Sequence, residues 1–310
     1  MNGIVLKSTG SWYEVHTDMG DTITCRLKGI FRLDDSKDTN PIAVGDVVTV
    51  ACEEGDWMIT NIAERQNHIV RASPKHKGAR QIIAANIDQC ILIVTMANPR
   101  TSTGFIDRFL LTAEAYHIPT HIVFNKQDAI DPKAAKKQEF VAQIYRSIGY
   151  PVHLVSAITG QGIAEFKTLL TQRTSLVAGH SGVGKSTLLN AIEPRLNLRT
   201  TQISKITAKG MHTTTFAEMF LLPLETKIID TPGVKEFGLM HFLPTEISHY
   251  YVEMRDYIPQ CKFNNCLHDI EPGCAVRQAY QDGKIAEERY VNYLTILADY
   301  KANYKHWEQD

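Results

Sequence analysis

Long apolar runs, a secretion signal and a strong net charge are all lacking in this chain of 310 residues. Its longest apolar run, residues 90–97, is far too short for a transmembrane helix, which needs about 20 residues. Residues 1–10 contain no apolar signal-peptide core, so we expect a cytoplasmic protein without secretion or membrane insertion. A formal net charge of −1 argues against a protein that binds nucleic acid over its whole surface, although it allows local basic patches.

The patterning of the chain predicts four segments. Residues 1–69 hold short strands broken by Gly-Asp turns, which predicts a small OB-type barrel, a fold that commonly binds nucleic acid. Residues 70–80 are basic and broken by proline and glycine, which predicts a linker, either a phosphate contact or a solvated spacer. Residues 81–242 alternate apolar strands with helical stretches, as in a mainly parallel sheet covered by helices. Residues 243–310 lack strand alternation and contain a cysteine cluster.

Aromatic and basic residues are interleaved in the predicted barrel. Two interpretations stay open: a surface that stacks bases and binds phosphate, or ordinary core residues that fill a small barrel. The residues concerned are the aromatic Trp12, Tyr13, Phe31 and Trp57 and the basic Arg26, Lys28 and Arg32.

A phosphate-binding loop is predicted at residues 179–187. The sequence Gly179-His180-Ser181-Gly182-Val183-Gly184-Lys185-Ser186-Thr187 matches G-x-x-x-x-G-K-[ST] between an apolar strand and a helical stretch, which is the context the motif requires. Backbone N–H groups of such a loop, with the helix N-terminus behind them, bind phosphates. We expect Lys185 to bind the β and γ phosphates and Ser186 to be a Mg²⁺ ligand.

A guanine-recognition element, Asn125-Lys126-Gln127-Asp128, precedes this loop and follows another apolar strand. In the guanine-nucleotide proteins that it resembles, the aspartate accepts hydrogen bonds from the ring N–H and exocyclic amine, the asparagine supports the loop and the lysine stem packs on the base. A buried carboxylate discriminates strongly, because the wrong base leaves it unpaired. Ser156-Ala157 ends a further strand and resembles the element whose backbone contacts the guanine carbonyl.

Asp230-Thr231-Pro232-Gly233 resembles a second switch. It follows a strand, so that Asp230 can hold Mg²⁺ through water and Gly233 can approach the γ-phosphate. Val234 stands where Ras-like proteins place the glutamine that orients the attacking water. We therefore expect slow intrinsic hydrolysis, or help from another group.

A first switch is predicted at residues 210–215, in a stretch from 194 to 217 without acidic residues. Thr214 is the expected Mg²⁺ ligand and γ-phosphate sensor. His212 is a candidate to position the attacking water, and the alternative is an exposed loop histidine. Four cations precede it in this stretch and indicate that it faces phosphate, with a solvated loop as the alternative: Arg195, Arg199, Lys205 and Lys209.

The order of these motifs is unusual. Ordinary GTPases carry the phosphate loop first and the guanine-recognition element near the end, whereas here the order is reversed. The sequence therefore predicts a circularly permuted G domain, whose second switch leads directly into the cysteine cluster.

That cluster predicts a metal site. Three thiolates and one imidazole lie within one short segment, and Zn²⁺ prefers four such ligands in a closed tetrahedral site. A closed site has no place for catalytic water, so we expect one structural zinc per chain; unrelated reduced cysteines are the alternative. The expected ligands are Cys261, Cys266, His268 and Cys274.

Together these motifs resemble the RsgA (YjeQ/YloQ) family of circularly permuted GTPases of small ribosomal subunit biogenesis. The resemblance implies an α/β protein with an N-terminal OB-type barrel, a permuted P-loop G domain and a C-terminal α-helical zinc-binding domain. It also implies GTP and GDP as ligands, slow hydrolysis stimulated by the small subunit, and ribosomal RNA as a partner of the barrel and the zinc domain. A monomer is the default expectation. Met211 departs from the arginine that family members often show.

Two rival functions remain open from the residues themselves. One is an RNA-binding module with a structural guanine-nucleotide site, which the presence of Lys185, Ser186 and Asp230 disfavours. The other is a P-loop kinase, which Asp128 disfavours because most kinases use ATP.

Overall fold

The computed structural model describes residues 1–28, 40–72, 80–198, 217–231 and 242–307. Its described strands are β1 (Asn2–Ser8), β2 (Tyr13–Thr17), β3 (Thr22–Leu27), β4 (Val47–Glu53), β5 (Asp56–Ile62), β6 (His68–Ala72), β7 (Arg80–Ala85), β8 (Gln89–Val94), β9 (Thr120–Phe124), β10 (Val152–Leu154), β11 (Thr174–Ala178), β12 (Glu218–Leu222) and β13 (Thr226–Asp230). Its described α-helices are α1 (Thr103–Ala115), α2 (Pro132–Ser147), α3 (Ile163–Leu170), α4 (Lys185–Ile192), α5 (Ala275–Gln281) and α6 (Glu287–Trp307).

The first five strands form a closed barrel. They follow the order β1-β2-β3-β5-β4, and an antiparallel pairing between β1 and β4 closes the ring. Alternate residues point inward, as the period of a strand requires, and Val5, Val15 and Ile59 form part of a core that is shielded from solvent. The predicted OB-type barrel is confirmed.

One described aromatic residue of the barrel fills its core, as one interpretation of the sequence predicts, and another is exposed, as the base-stacking interpretation predicts. Tyr13 is 1% exposed and belongs to the core, whereas Trp12 is 43% exposed. The Arg26 guanidinium lies over the Trp12 ring, 4.1 Å from its centroid. Phe31 and Arg32 lie outside the described residues.

A six-stranded part of the sheet follows the order β10-β9-β8-β11-β13-β12. Its pairings are parallel except for the antiparallel hairpin of β12 and β13. All residues of β8 are buried and alternate between two cores, one under α1 and α2 and the other under α3 and α4. This arrangement brings the carboxyl ends of β9, β10, β11 and β13, where the predicted nucleotide motifs begin, to one edge of the sheet.

The barrel and this sheet are continuous. β1 pairs with β12 in antiparallel orientation, with Lys7 opposite Glu218. The Lys7 Nζ atom also lies 3.3 Å from Glu218 Oε1. The two parts therefore share one eleven-stranded sheet.

Part of the predicted linker is structured. Residues 70–72 lie in β6 and Arg80 begins β7, and these strands pair in antiparallel orientation with Ala72 opposite Arg80. The strands form because Val70 and Ile82 pack in a small apolar cluster, which outweighs the basic composition. Residues 73–79 lie outside the described residues.

The C-terminal part is helical, as predicted, and has its own core. Three short 3₁₀ segments, Pro244–Tyr250, Val252–Met254 and Ile258–Gln260, precede α5 and α6. Leu111 of α1 joins this core, so α1 lies between the sheet and the C-terminal helices. Among the described helices, none combines the length and the apolar character needed to span a membrane.

Candidate guanine-nucleotide site and metal centre

The predicted phosphate loop connects the buried strand β11 to the amino end of α4. Gly179 and Gly184 are in conformations that favour glycine, with φ of 151° and 92°. A Cβ on Gly179 would lie 2.3 Å from the Ile93 carbonyl oxygen, and one on Gly184 would lie 2.6 Å from Asn125 Nδ2. These glycines therefore allow the loop to pass close to the backbone of β8 and to the Asn125 side chain, which follows β9.

Lys185 begins α4 and turns back into the loop. Its Nζ donates to the Gly179 carbonyl over 2.7 Å and to the His180 carbonyl over 3.2 Å. Burial lowers the pKa of the Lys185 ammonium, and the Asp230 carboxylate opposes that shift. The charge is thus held within the loop, at the position where a phosphate loop binds anionic oxygens.

Asp230 ends β13 and is 7% exposed. Its Oδ1 atom makes no hydrogen bond with any described residue. Burial raises the pKa of Asp230 to about 6, although Lys185 lowers it in part. A buried carboxylate oxygen without a partner among the described residues, near Lys185 of the phosphate loop, fits a Mg²⁺ site. The half-buried Ser186 follows Lys185 in the chain.

The guanine-recognition loop contacts the phosphate loop directly. Asn125 Nδ2 donates to the Val183 carbonyl over 2.9 Å. Lys126 Nζ donates to the Gly182 carbonyl over 2.7 Å and to the Asn98 carbonyl over 2.6 Å. These contacts join three segments that are distant in sequence into one site.

Asp128 is held by Ser156, whose hydroxyl donates to Asp128 Oδ1 over 2.5 Å. The Thr159 backbone N–H in turn donates to Ser156 Oγ over 3.1 Å. Sequence reasoning predicted a backbone contact for the Ser156-Ala157 element and missed this role of the hydroxyl. The structure thus brings the guanine-recognition loop and the Ser156 loop together.

Gln127 has a different role from its neighbours. Its side chain bonds to Gln138 of α2 and to the Phe124 carbonyl. These bonds anchor α2 to the recognition loop.

Several predicted site residues lie outside the described residues: His212, Thr214 and Gly233, with the switch cations Arg199, Lys205 and Lys209. Among the described residues, sequence reasoning missed Asn98 and Phe105. The ring centroids of Phe105 and His180 lie 3.6 Å apart at an interplanar angle of 31°. A lone asparagine and a helical phenylalanine carry no motif, so no sequence signal marked them.

The predicted metal ligands converge in space. The candidate ligand atoms of Cys261, Cys266, His268 and Cys274 all lie within 4.8 Å of one another. His268 Nδ1 lies 3.5 Å from Cys261 Sγ and 3.4 Å from Cys274 Sγ. These distances show that Nδ1 is the atom that faces the sulfurs. His268 Nε2 is buried and has no hydrogen-bond partner among the described residues.

The chemistry of this cluster suits a cation. Burial raises the pKa of the Cys266 thiol to about 12 and lowers the pKa of His268 to about 4. The imidazole is therefore neutral at pH 7 and able to coordinate, while a buried thiolate requires a compensating positive charge. Three sulfurs and one imidazole nitrogen form a donor set that is compatible with zinc.

Helix α6 supports the loop that carries these ligands. The Tyr290 hydroxyl donates to the His268 carbonyl over 2.6 Å, and the Tyr293 hydroxyl donates to the Leu267 carbonyl over 2.8 Å. His268 has a φ of 59°, a conformation uncommon for a side-chain-bearing residue. The two tyrosines hold the backbone in that conformation.

Two family models match the chain. The RsgA N-terminal domain matches residues 2–57, and the RsgA GTPase matches residues 62–240. A small ribosomal subunit biogenesis GTPase RsgA of Bacteroides fragilis (strain YCH46) is 48% identical over 300 residues, covering 96% of this chain and 97% of that protein. The protein of the same name from Flavobacterium johnsoniae is 48% identical over 309 residues, covering 98% and 95%.

Solved structures agree with this result. YjeQ from Thermotoga maritima superposes with a TM-score of 0.77 at 36% identity, covering 96% of this chain and 97% of that chain. YloQ, described as a circularly permuted GTPase, superposes with a TM-score of 0.72 at 30% identity, covering 97% and 95%. The predicted fold class, with its permuted G domain, is confirmed. By sequence and by structure, this chain belongs to the RsgA GTPase family.

Proposed function

We propose that this chain binds GTP, hydrolyses it to GDP and phosphate, and acts in late maturation of the small ribosomal subunit in the cytoplasm. The observation that carries the proposal is the 2.7 Å hydrogen bond from Lys126 to Gly182, which makes guanine recognition and phosphate binding parts of one site. Family membership supports it, since the relatives are named small ribosomal subunit biogenesis GTPases.

The residues of the site have distinct roles in this proposal. Asp128 accepts hydrogen bonds from guanine while the Ala157 backbone contacts its carbonyl. Lys185 and the backbone of residues 179–187 bind the phosphates. Gly233 approaches the γ-phosphate.

Ser186, Thr214 and Asp230 would hold Mg²⁺, which would neutralise charge on the β and γ phosphates. His212 positions the attacking water. Because Val234 replaces the glutamine that Ras-like proteins use for this purpose, hydrolysis by the free protein is slow.

Ribosomal RNA and the small subunit are the proposed partners, and the protein acts as a monomer. The exposed Trp12 ring, with Arg26 above it, supplies a base-stacking surface on the barrel. The cluster of Cys261, Cys266, His268 and Cys274 would hold one structural zinc, which would stabilise the helical C-terminal part of the chain, residues 242–307, here called the C-terminal module.

Nucleotide state reaches the C-terminal module through the second switch. Asp230 lies at the nucleotide site, and Phe242 lies twelve positions further along the chain at the C-terminal module. There the Phe242 N–H donates to the Tyr300 hydroxyl over 2.9 Å, and that hydroxyl donates to the Phe242 carbonyl over 2.7 Å. Ordering of the switch by GTP repositions the module, and hydrolysis releases it.

GTP turnover with and without purified small ribosomal subunits tests the proposal. We expect the subunit to stimulate turnover by the wild-type chain, and Lys185→Ala to abolish it. Asp128→Asn should lose its preference for GTP. No stimulation by the subunit would overturn the proposed role in maturation, whereas equal use of ATP would overturn guanine specificity. Phosphate transfer to a small acceptor would favour the kinase alternative.

A further inference from the structure

Helix α1 contacts the phosphate loop at its amino end. The Phe105 ring packs against the His180 ring, with centroids 3.6 Å apart. The Ser102 hydroxyl accepts a hydrogen bond from the Phe105 N–H over 3.2 Å and so fixes the first helical turn. His180 also provides one of the two carbonyls that hold Lys185. A movement of Phe105 would therefore displace His180, whose carbonyl accepts a hydrogen bond from Lys185.

The same turn of α1 is held by the C-terminal module. Asp107 is fully buried, and Arg289 Nη1 of α6 donates to its Oδ1 over 2.6 Å. Asn292 Nδ2, also of α6, donates to Asp107 Oδ2 over 2.6 Å, and the Tyr145 hydroxyl donates to Oδ1 over 2.7 Å. Both carboxylate oxygens are thus satisfied, and all three of these bonds come from outside α1, two from α6 and one from α2.

Arg289 is fixed from its other side. It is 1% exposed, its Nε and Nη2 donate to Glu253 over 2.6 and 3.0 Å, and its guanidinium lies 4.4 Å from the Tyr251 ring centroid. Removing one partner of such a buried ion pair strongly destabilises a protein, because the other charge stays buried and unpaired. The Asp107–Arg289 pair therefore specifies one position of α1 against α6.

The two contacts clamp α1 from different sides. Phe105 and Asp107 are two positions apart, and successive residues of an α-helix are rotated by about 100°, so their side chains point roughly 200° apart. One side of the first turns faces the phosphate loop and the other faces the C-terminal module. A rotation or slide of α1 cannot change one contact without changing the other.

We infer that Phe105 is a positioning residue for the phosphate loop, and that the Asp107–Arg289 contact lets the C-terminal module set its position. This inference rests on the proposed function, because it assumes that Lys185 binds nucleotide phosphates. These contacts do not involve the second switch, whose Gly233 approaches the γ-phosphate. Since GTP and GDP share the α and β phosphates that the backbone of the loop binds, and Lys185 contacts the shared β-phosphate, a change at Phe105 lowers the affinity for both nucleotides.

Equilibrium binding of fluorescent GTP and GDP analogues tests the role of Phe105. We expect Phe105→Ala to weaken both by a similar factor of roughly 3 to 10, the range expected for loss of an aromatic pair. Phe105→Tyr keeps the ring and should stay within about twofold of wild type. Phe140→Ala is the matched control, because Phe140 lies on α2 and is 55% exposed.

Thermal unfolding of each variant establishes that the binding measurements refer to folded protein. Unchanged affinity for both nucleotides in folded Phe105→Ala would overturn the inference, and so would loss of GTP affinity alone. If the wild-type chain bound neither nucleotide, the proposed function itself would fail, so the two failures are distinguishable.

A double-mutant cycle tests the contribution of the C-terminal module. Asn292→Ala removes one donor to Asp107, and we expect it to lower the affinity for both nucleotides by about threefold. The same change in the Phe105→Ala background should cause little further loss of affinity, because Phe105→Ala has already removed the contact between α1 and the phosphate loop. Additive losses would overturn the coupling.

Asp299→Ala is the control for the cycle. It removes the exposed contact in which Arg108 Nη2 lies 2.7 Å from Asp299 Oδ2, which also joins α1 to α6. Exposed ion pairs contribute little, so we expect unchanged affinity. Should Asn292→Ala fail to fold, Arg289→Lys, which keeps the buried charge, takes its place in the cycle with the same expected result.

Discussion

The side chain of Asn125 donates a hydrogen bond to the Val183 carbonyl over 2.9 Å, and so joins the guanine-recognition loop to the phosphate loop across 58 positions of sequence. Val183 is fully buried, which means that its carbonyl has no ready access to solvent if the bond is lost. The two loops of the nucleotide site therefore depend on each other even though their order in the chain is permuted.

Asn125→Ala should weaken the binding of GTP and GDP by about tenfold, because it leaves the buried Val183 carbonyl unpaired and separates the two loops. Isothermal titration with each nucleotide measures the effect. Asn61→Ala, at an exposed position of the barrel, is the control and should bind as the wild type does. Equal affinities for the two variants would show that the contact does not support the site.

Asp128→Asn should change which base is bound. An amide can donate to the C2 carbonyl of xanthine but cannot accept both guanine donors, so GTP binding should fall by about a hundredfold or more and xanthosine triphosphate should bind better. Competition between the two nucleotides measures the change. Asp131→Asn is a matched control, since Asp131 caps α2 through a 2.7 Å bond and asparagine caps equally well. Retained GTP preference in Asp128→Asn would argue against base recognition by this residue.

Cys274→Ser should remove bound zinc and unfold the C-terminal module, because the remaining three ligands form an incomplete site. Metal analysis should find about one zinc per chain in the wild type and much less in this variant. Cys52→Ser, which replaces an exposed cysteine of the barrel, should retain the metal and the wild-type midpoint of thermal unfolding. Wild-type protein that is folded but free of zinc would contradict the assignment.

Trp12→Ala should raise the subunit concentration needed for half-maximal stimulation by about tenfold, the scale of one lost stacking contact. Turnover without subunits should not change, because Trp12 lies on the barrel. Met19→Ala is the control, since Met19 is 79% exposed on the same barrel. A fall in intrinsic turnover would mean that Trp12 acts on the G domain instead.

Acid should destabilise the protein in part through His121. Its Nδ1 atom lies 3.1 Å from His153 Nε2, and burial, with His153 and Arg173 nearby, lowers its pKa from 6.5 to about 4. The unfolded chain then binds a proton between pH 6.5 and 4 that the folded chain does not, so stability falls as the pH falls through this window. Above pH 6.5 the histidine is neutral in both states and contributes no pH dependence.

His121→Gln should make the free energy of unfolding less dependent on pH between pH 7 and pH 4, by roughly 2 kcal/mol, because solvent screens the half-buried ring and reduces the effect of the full shift. Urea unfolding at a series of pH values measures it. His16→Gln, on the barrel, provides a histidine replacement for comparison. An equally steep pH dependence in His121→Gln and the wild type would contradict the role of this histidine.

The nucleotide motifs could be predicted because GTP chemistry demands particular residue types at fixed spacings. The glycines of the phosphate loop, Lys185 and Asp128 belong to such patterns, and apolar periodicity placed the strands that carry them. The barrel followed from turn residues and short strands. The zinc cluster followed from ligand type and spacing.

Contacts between distant segments could not be predicted in the same way. Asp107 and Arg289 are 182 positions apart, and a charged residue in a helix is normally expected to face solvent. The Ser156 hydroxyl on Asp128, and Lys126 on Asn98, depend on how loops meet in three dimensions. The strands β6 and β7 were missed because basic, proline-containing flanks concealed two short apolar faces.

The pairing of β1 with β12 has a consequence for synthesis of the chain. The five barrel strands all lie within residues 1–62, so the barrel can close as soon as it leaves the ribosome that makes it. Lys7 and Glu218 are 211 positions apart. β4 pairs with residues 2–4 of β1, so the part of that edge around Lys7 stays open until β12 emerges. A charged lysine on such an edge discourages pairing with other nascent chains. The barrel thereby becomes the template onto which the last hairpin of the sheet is added.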